Sequence, residues 1–200
     1  KALSRKSIRV LTYIIYPLMT GLLVVAEPLT IFLYTEKWIA MVPFVWVVCI
    51  EAIFSVPGTI TLQSVKAMGY SDKMLKAEIF KKPILILSII IAMQYGVMAI
   101  ALTLPLNTLL EFVINGVMAH KTVDYSIREQ LWDCLPATIM SVLMGAGVLL
   151  VAHLPLGLGT IALLFVEILV GIVIYVLLSV ITRNEEFMAL ASMAKQYLKR

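Results

Sequence analysis

Apolar residues fall in six long segments separated by short polar connections. The segments cover residues 10–34, 38–63, 83–97, 98–119, 135–153 and 158–182. A helix needs about 20 apolar residues to cross the hydrocarbon core of a membrane, which is about 30 Å thick. The third and fourth segments are divided at residues 94–96, because a single helix through both would extend roughly 55 Å. The pattern predicts six transmembrane helices in an all-α integral membrane fold.

Basic residues lie almost entirely on one side of these helices. Fifteen of the sixteen lysines and arginines fall before the first segment, between the second and third, between the fourth and fifth, or after the sixth. Lys37 alone lies in a connection on the opposite side. Because positive residues favour the cytoplasmic side, both ends of the chain are expected in the cytoplasm. Residues 183–200 are predicted to form an amphipathic cytoplasmic tail, with Phe187, Leu190, Ala194 and Leu198 near one face.

The composition supports this interpretation. The 200 residues are 62% hydrophobic and 14% charged, with a mean hydropathy of +1.00. Soluble globular proteins are about 45–50% apolar and about 25% charged, so a soluble domain is excluded. Disorder requires low hydrophobicity and is excluded too. The chain begins at Lys1 rather than at a methionine, and we expect it to be a piece of a longer polypeptide.

Two of the apolar segments carry polar residues at every fourth position. We call these sets the polar stripes of the second and the fourth segment. They consist of Glu51, Ser55, Thr59 and Gln63 in the second segment, and of Thr103, Asn107, Glu111 and Asn115 in the fourth. Residues four apart share a helix face, and lipid cannot hydrogen-bond them, so each stripe must face protein or water.

Two interpretations of the stripes remain open. They can line a shared wet cavity, or they can form hydrogen bonds between packed helices, each worth about 0.6 kcal/mol. Four polar residues in register on each of two helices favour the cavity. Glu167 in the sixth segment is a further candidate, because acidic residues at membrane depth are costly and commonly functional.

The sequence has no motif for metal binding, phosphate binding or nucleophilic catalysis. His120 and His153 lie in different parts of the chain, and no cluster has the spacing of metal ligands. The sequence has no phosphate-binding glycine loop and no Ser/His/Asp constellation. The expectation is a protein that is not an enzyme and that needs no cofactor or metal.

A series of short motifs occurs in order along the chain. They are Tyr16-Pro17-Leu18-Met19-Thr20-Gly21-Leu22, Val25-Ala26-Glu27-Pro28-Leu29, Thr35-Glu36-Lys37-Trp38, Ala67-Met68-Gly69-Tyr70-Ser71-Asp72, Leu75-Lys76-Ala77-Glu78-Ile79, Lys81-Lys82, Tyr95-Gly96 and Glu129-Gln130-Leu131. With these motifs the chain resembles the C-terminal part of the bacterial polysaccharide exporters. These are lipid-linked oligosaccharide flippases of the superfamily that includes the MATE multidrug exporters, and the colanic acid and teichuronic acid exporters are the nearest likeness.

The resemblance implies a two-lobe bundle of twelve or more helices that works by alternating access, with this chain forming most of the second lobe. It implies an undecaprenyl-pyrophosphate-linked oligosaccharide as substrate, moved across the bacterial inner membrane for exopolysaccharide, capsule or O-antigen export. Membrane lipid and the polymerase or chain-length proteins of the same pathway are the implied partners, and nucleic acid is not.

A pyrophosphate substrate requires cations nearby. We expect these cations either in the first lobe, outside this chain, or among Lys66, Lys81 and Lys82 at the inner mouth of the bundle. Glu51 and Glu111 are the candidates for proton or sodium coupling, because both are acidic and lie at membrane depth.

Other functions remain to be weighed. A cation-coupled small-molecule exporter of the same fold is the main alternative, since fold alone does not distinguish substrates. A membrane enzyme is expected to carry a large external loop, and the outer connections here are short. A purely structural subunit has no need of the two polar stripes.

Overall fold

The computed structural model describes residues 1–155 and 159–188, and its regular elements in these ranges are all helical. The α-helices are α1 (Ala2–Val24), α2 (Ala26–Tyr34), α3 (Val42–Ala67), α4 (Ser71–Ala92), α5 (Val97–Val123), α6 (Ile127–Ala152) and α7 (Thr160–Ile181). Short 3-10 helices cover Glu36–Met41 and Met93–Tyr95.

Five helical stretches in the described ranges are long and apolar enough to cross a membrane. They are Ala2–Val24, Glu36–Ala67, Val97–Val123, Ile127–Ala152 and Thr160–Ile181. Each overlaps one of the six predicted segments, and the third predicted segment, 83–97, is not among them. The chain therefore has the architecture of an all-helical, multi-pass membrane protein.

Helix α4 explains the difference at the third segment. The sequence predicts a span beginning at Pro83, but α4 is one helix that begins at Ser71. Its first half carries Asp72, Lys73, Lys76, Glu78, Lys81 and Lys82, which leaves only ten residues from Pro83 to its last residue, Ala92. A 3-10 turn and Gly96, with a φ of 96° that suits glycine, then reverse the chain into α5.

The first predicted segment is divided into two helices. Helix α1 ends at Val24 and α2 begins at Ala26, with Val25 at the junction. Pro28 lies in the first turn of α2. A backbone N–H at that position has no acceptor within the helix, so the missing N–H of proline costs no hydrogen bond. Helix α1 also begins eight residues earlier than the predicted segment, because its charged N-terminal turns remain helical beyond the apolar stretch.

The predicted inner connection between the fourth and fifth segments is mostly helical as well. Helix α5 continues to Val123 and α6 begins at Ile127, so only residues 124–126 join them. Ser126 and Glu129 form a capping box: the Glu129 N–H donates to the Ser126 hydroxyl at 3.3 Å, and the Ser126 N–H donates to the Glu129 carboxylate at 3.0 Å. This local pairing starts α6 well before its apolar stretch.

Helices α3 and α5 pack side by side in the same direction. Thr108 Oγ1 donates to Glu51 Oε1 at 3.1 Å, and Asn115 Nδ2 donates to the Gly58 carbonyl at 3.4 Å. Both pairs are 57 residues apart, so the register is constant and the helices are parallel. The two helices approach closely at Gly58, where a Cβ would lie in ordinary contact, 3.5 Å from the Phe112 Cα.

Helix α1 packs against α3 and α6, and α7 packs against α6. Small residues Ala137, Ser141 and Gly145 line the buried face of α6, and a Cβ on Gly145 would lie 2.9 Å from Thr20 Cγ2 of α1. Phe187 packs against the cluster of Tyr13, Met140 and Tyr175. The remainder of the predicted amphipathic tail, from residue 189 onward, lies outside the described residues.

Candidate functional site

The polar stripe of the second segment, Glu51, Ser55, Thr59 and Gln63, lies on α3 and runs from a helix contact to the protein surface. Glu51 is half-buried and accepts the hydrogen bond from Thr108 of α5, and Ser55 is also half-buried. Thr59 and Gln63, farther along the helix, are exposed. The stripe drifts in this way because residues four apart rotate by about 40° at each step around a helix of 3.6 residues per turn.

The polar stripe of the fourth segment, Thr103, Asn107, Glu111 and Asn115, lies on α5 and contacts two neighbouring helices. Thr103 is buried and donates to the Ile100 carbonyl at 2.7 Å, within its own helix. Asn107 donates to the Ser88 hydroxyl of α4 at 2.9 Å. Asn115 is 2% exposed and binds the Gly58 carbonyl of α3. The carboxylate residue Glu111 is exposed.

The exposed members of the two stripes lie on one side of the α3–α5 pair. Gly58 and Phe112 mark the line of contact between the helices. Thr59 follows Gly58 and Glu111 precedes Phe112, and in parallel helices these two positions turn to the same side. Helix α4 borders that side, because Lys81 Nζ lies 3.4 Å from Asn115 Oδ1. We call this region the polar seam, formed by Glu51, Thr59, Glu111, Asn115 and Lys81.

The polar seam differs from the shared wet chamber that the two stripes predict. Glu51, Asn107 and Asn115 form direct hydrogen bonds between helices, as the second interpretation of the stripes requires. Thr59, Gln63 and Glu111 remain exposed. Within the described residues, the stripes thus combine helix packing with a polar outer surface.

The three candidate lysines are in different environments. Lys81 is buried at 4% exposure, and its ammonium pairs with the Glu78 carboxylate and the Asn115 amide. A buried ammonium needs such partners. Lys81 therefore does not lie open at an inner mouth. Lys66 and Lys82 are exposed.

Glu167 lies apart from the polar seam. It is 3% exposed, on a face of α7 that packs against α6, α1 and α2. Its neighbours on that face, Leu164 and Gly171, contact Val25 and Val148. The Glu167 Oε2 atom has no hydrogen-bond partner among the described residues.

A charged cluster that the sequence analysis missed lies at the end of the bundle where α1 begins. Asp133 of α6 is 2% exposed, and its carboxylate accepts hydrogen bonds from Arg5 Nε at 2.8 Å and Arg5 Nη2 at 2.9 Å. Arg9 Nε and the Tyr125 hydroxyl each donate to it at 2.8 Å. Burial, with the hydrogen bond to Asp133, raises the pKa of the Tyr125 phenol, which keeps it a donor. We call Arg5, Arg9, Tyr125 and Asp133 the arginine–aspartate cluster.

The apolar pattern hid this cluster, because it placed Asp133 in a connection rather than in a helix. The available signal was the spacing of Arg5 and Arg9, which puts two cations on one face of α1. When that face of α1 packs against another helix, two such cations need an acidic partner.

Further polar contacts join the same ends of α1, α3 and α6. Thr61 donates to the Gln130 amide oxygen at 2.9 Å, and both side chains are fully buried. Ser4 donates to the Ser64 hydroxyl at 2.8 Å, and Lys1 pairs with Glu129 at 2.8 Å. These bonds hold three helices together at one end.

Two cavities adjoin the arginine–aspartate cluster. The larger, of about 520 Å³, is lined by Ala2, Arg5, Lys6, Arg9, Val10, Glu185 and Glu186. The smaller, of about 150 Å³, is lined by Arg9, Tyr13, Asp133, Pro136, Ala137, Asn184, Glu185 and Glu186. Because they share Arg9, Glu185 and Glu186, they form neighbouring parts of one polar region. Among the residues that the structure describes, no group of three acidic, histidine or cysteine side chains is placed to hold a metal ion.

Comparison with known families gives one match. A family model described as polysaccharide biosynthesis protein matches residues 1–43, which contain α1, α2 and the turn that leads into α3. Over this stretch the chain is similar to polysaccharide biosynthesis proteins, and the stretch includes Arg5 and Arg9. No curated protein and no solved structure matches the chain significantly.

Proposed function

We propose that the chain forms most of the second lobe of a bacterial inner-membrane flippase. The flippase moves an undecaprenyl-pyrophosphate-linked oligosaccharide to the outer leaflet by alternating access. The observation that carries the proposal is the match to a polysaccharide biosynthesis family over residues 1–43. Transport, rather than synthesis, fits the spanning helices and their polar side chains.

The exposed side chains of the polar seam support the proposal that the chain is one lobe of a larger bundle. Glu111 and Thr59 are exposed on helices that are long and apolar enough to span a membrane. A carboxylate facing acyl chains is costly, so this side is expected to face protein or water. In the proposed flippase it faces the first lobe across the transport pathway.

The parallel packing of α3 and α5 supports six crossings with both ends in the cytoplasm. Two spanning helices that run in the same direction require the chain between them to cross back. Helix α4 is that connection: its charged half lies at the inner surface, and its apolar half, from Pro83, leads to the turn before α5.

The acidic and basic candidates take separate roles in this proposal. Glu51, Glu111 and Glu167 are the candidates for proton or sodium coupling, because each is acidic and lies within a spanning helix. Lys66, near the last residue of α3, and Lys82, at the middle of α4 beside Pro83, are exposed and are candidates for contact with the pyrophosphate.

A deletion of the complete gene tests the proposal. The expected result is loss of a surface polysaccharide, together with accumulation of its undecaprenyl-linked unit in the cytoplasmic leaflet, and recovery of both on complementation. A matched complementation with Glu27→Gln, which alters an exposed carboxylate in the first turn of α2, is expected to restore export. Normal surface polysaccharide in the deletion strain would overturn the proposal, and a defect in small-molecule efflux alone would favour the exporter of the same fold.

A further inference from the structure

We propose that Arg5, Lys6 and Arg9 form a binding site for the diphosphate headgroup of a lipid, in the larger cavity beside the arginine–aspartate cluster. This inference deepens the proposed function and rests on it for the lipid nature of the ligand. It adds anion contacts at the start of α1 to those proposed at Lys66 and Lys82.

All three cations border the same cavity. Arg5 and Arg9 are four residues apart and share one face of α1, and Lys6 lies beside Arg5 on the cavity wall. The apolar part of α1 follows directly after Arg9. A ligand in this cavity would therefore have its anionic group beside the cations and its lipid chain next to the membrane.

Asp133 orients the two guanidinium groups without occupying all of their N–H donors. Each guanidinium has five N–H donors, and Asp133 takes two from Arg5 and is contacted by two nitrogens of Arg9. The Arg5 and Arg9 side chains remain 39% and 41% exposed, whereas that of Asp133 is 1% exposed. The buried carboxylate thus fixes the orientation of two partly exposed guanidinium groups. This geometry suits bidentate recognition of a phosphate.

The cavity has the size and the charge arrangement for such a ligand. Its volume of about 520 Å³ lies within the usual range of small-molecule sites, about 300–1,000 Å³. Glu185 and Glu186 also line the cavity and offset the positive charge of the three cations. A diphosphate, with several negative oxygens, can take the place of these two carboxylates beside the cations, so Glu185 and Glu186 would act as competitors.

The test is equilibrium binding of farnesyl diphosphate to the purified full-length protein in nanodiscs. Lys6→Gln and Arg9→Gln are expected to weaken binding about tenfold, because each removes a charge-assisted contact. Both variants keep the Arg5–Asp133 pair and so are expected to fold. Glu185→Gln combined with Glu186→Gln is expected to tighten binding about fivefold, since two opposing charges are removed. Lys37→Gln, which removes a lysine from the opposite side of the bundle, serves as the matched control and is expected to bind as the wild type does.

Inorganic pyrophosphate and farnesol separate the headgroup from the chain. Farnesyl diphosphate is expected to bind at least tenfold more tightly than either. Equal binding of inorganic pyrophosphate would overturn the lipid assignment in favour of a free anion. Wild-type affinity in both Lys6→Gln and Arg9→Gln would overturn the site, and normal polysaccharide export by the same protein would show that the proposed function still stands.

Discussion

Asp133 and Arg5 are 128 residues apart in the chain and form a two-bond ion pair, with Nε and Nη2 of the arginine each within 2.9 Å of a carboxylate oxygen. The pair joins the first turns of α1 to the beginning of α6. Because Arg9 and Tyr125 bind the same carboxylate, one buried acidic residue orients three donor side chains, two from α1 and one from the link before α6.

Replacing Asp133 is expected to destabilise the protein. Asp133→Asn would leave two guanidinium groups without a carboxylate at a packed helix end, at a cost of about 2 kcal/mol after allowance for the exposure of the arginines. Thermal unfolding in detergent measures this. Asp124→Asn, at an exposed acidic residue, is the matched control, and an equal loss in both variants would contradict the structural role of Asp133.

The Thr61–Gln130 hydrogen bond is suited to a double-mutant cycle. Thr61→Val alone is expected to cost about 1–2 kcal/mol, because the buried Gln130 amide loses a partner. Thr61→Val combined with Gln130→Leu is expected to cost less than the sum of the single changes. Additive losses in unfolding free energy would show that the two side chains are not coupled.

The close packing of α3 and α5 predicts a size limit at Gly58. Gly58→Ala is expected to be tolerated, since its Cβ would lie at ordinary contact distance from Phe112. Gly58→Leu is expected to destabilise the protein by about 1–3 kcal/mol through overpacking. Ala146→Leu, at an exposed position of α6, is the comparison for a similar increase in size, and an effect as large as that of Gly58→Leu would count against this contact.

The polar seam predicts a loss of transport without a loss of folding. Glu111→Gln combined with Glu51→Gln is expected to lower gradient-driven export at least tenfold, because both acidic side chains at the seam lose their charge. The unfolding temperature is expected to change little, since Glu111 is exposed and Glu51 can still accept from Thr108 as an amide. Export that stays fully coupled to the gradient in this double variant would exclude a coupling role for both residues.

The orientation of α4 is open to a labelling experiment. Cysteines introduced by Lys73→Cys and Tyr95→Cys lie at opposite ends of the α4 region and are exposed. In intact cells a membrane-impermeant thiol reagent is expected to label Tyr95→Cys and not Lys73→Cys. The native Cys49 and Cys134 are buried and provide a low background. Labelling of both introduced cysteines from outside would contradict a crossing by α4.

The sequence predicted the helical fold better than it predicted helix ends. Apolar runs mark the thickness of lipid that a helix must cross, and charged residues can continue the same helix into the headgroup region. This is why α4 begins at Ser71 rather than Pro83, and why α6 begins at Ile127 rather than near residue 135.

The site was harder to predict than the fold. Polar spacing placed Glu111 and Asn115 on one helix, but it did not show that one is exposed and the other is bound to α3 and α4. The Arg5–Asp133 pair depends on how α1 packs on α6, which neither helix encodes alone. Periodicity reports the faces of single helices, and the partners of those faces are set by packing.

The link of three residues between α5 and α6 restricts how these helices can part. Residues 124–126 reach at most about 14 Å from one helix end to the next when fully extended. Contact between Gly116 and Ile127 lies beside this link. Any separation of α5 from α6 must therefore be a hinge motion. The hinge lies where α5 ends and α6 begins, and the opposite ends of the two helices move farthest apart.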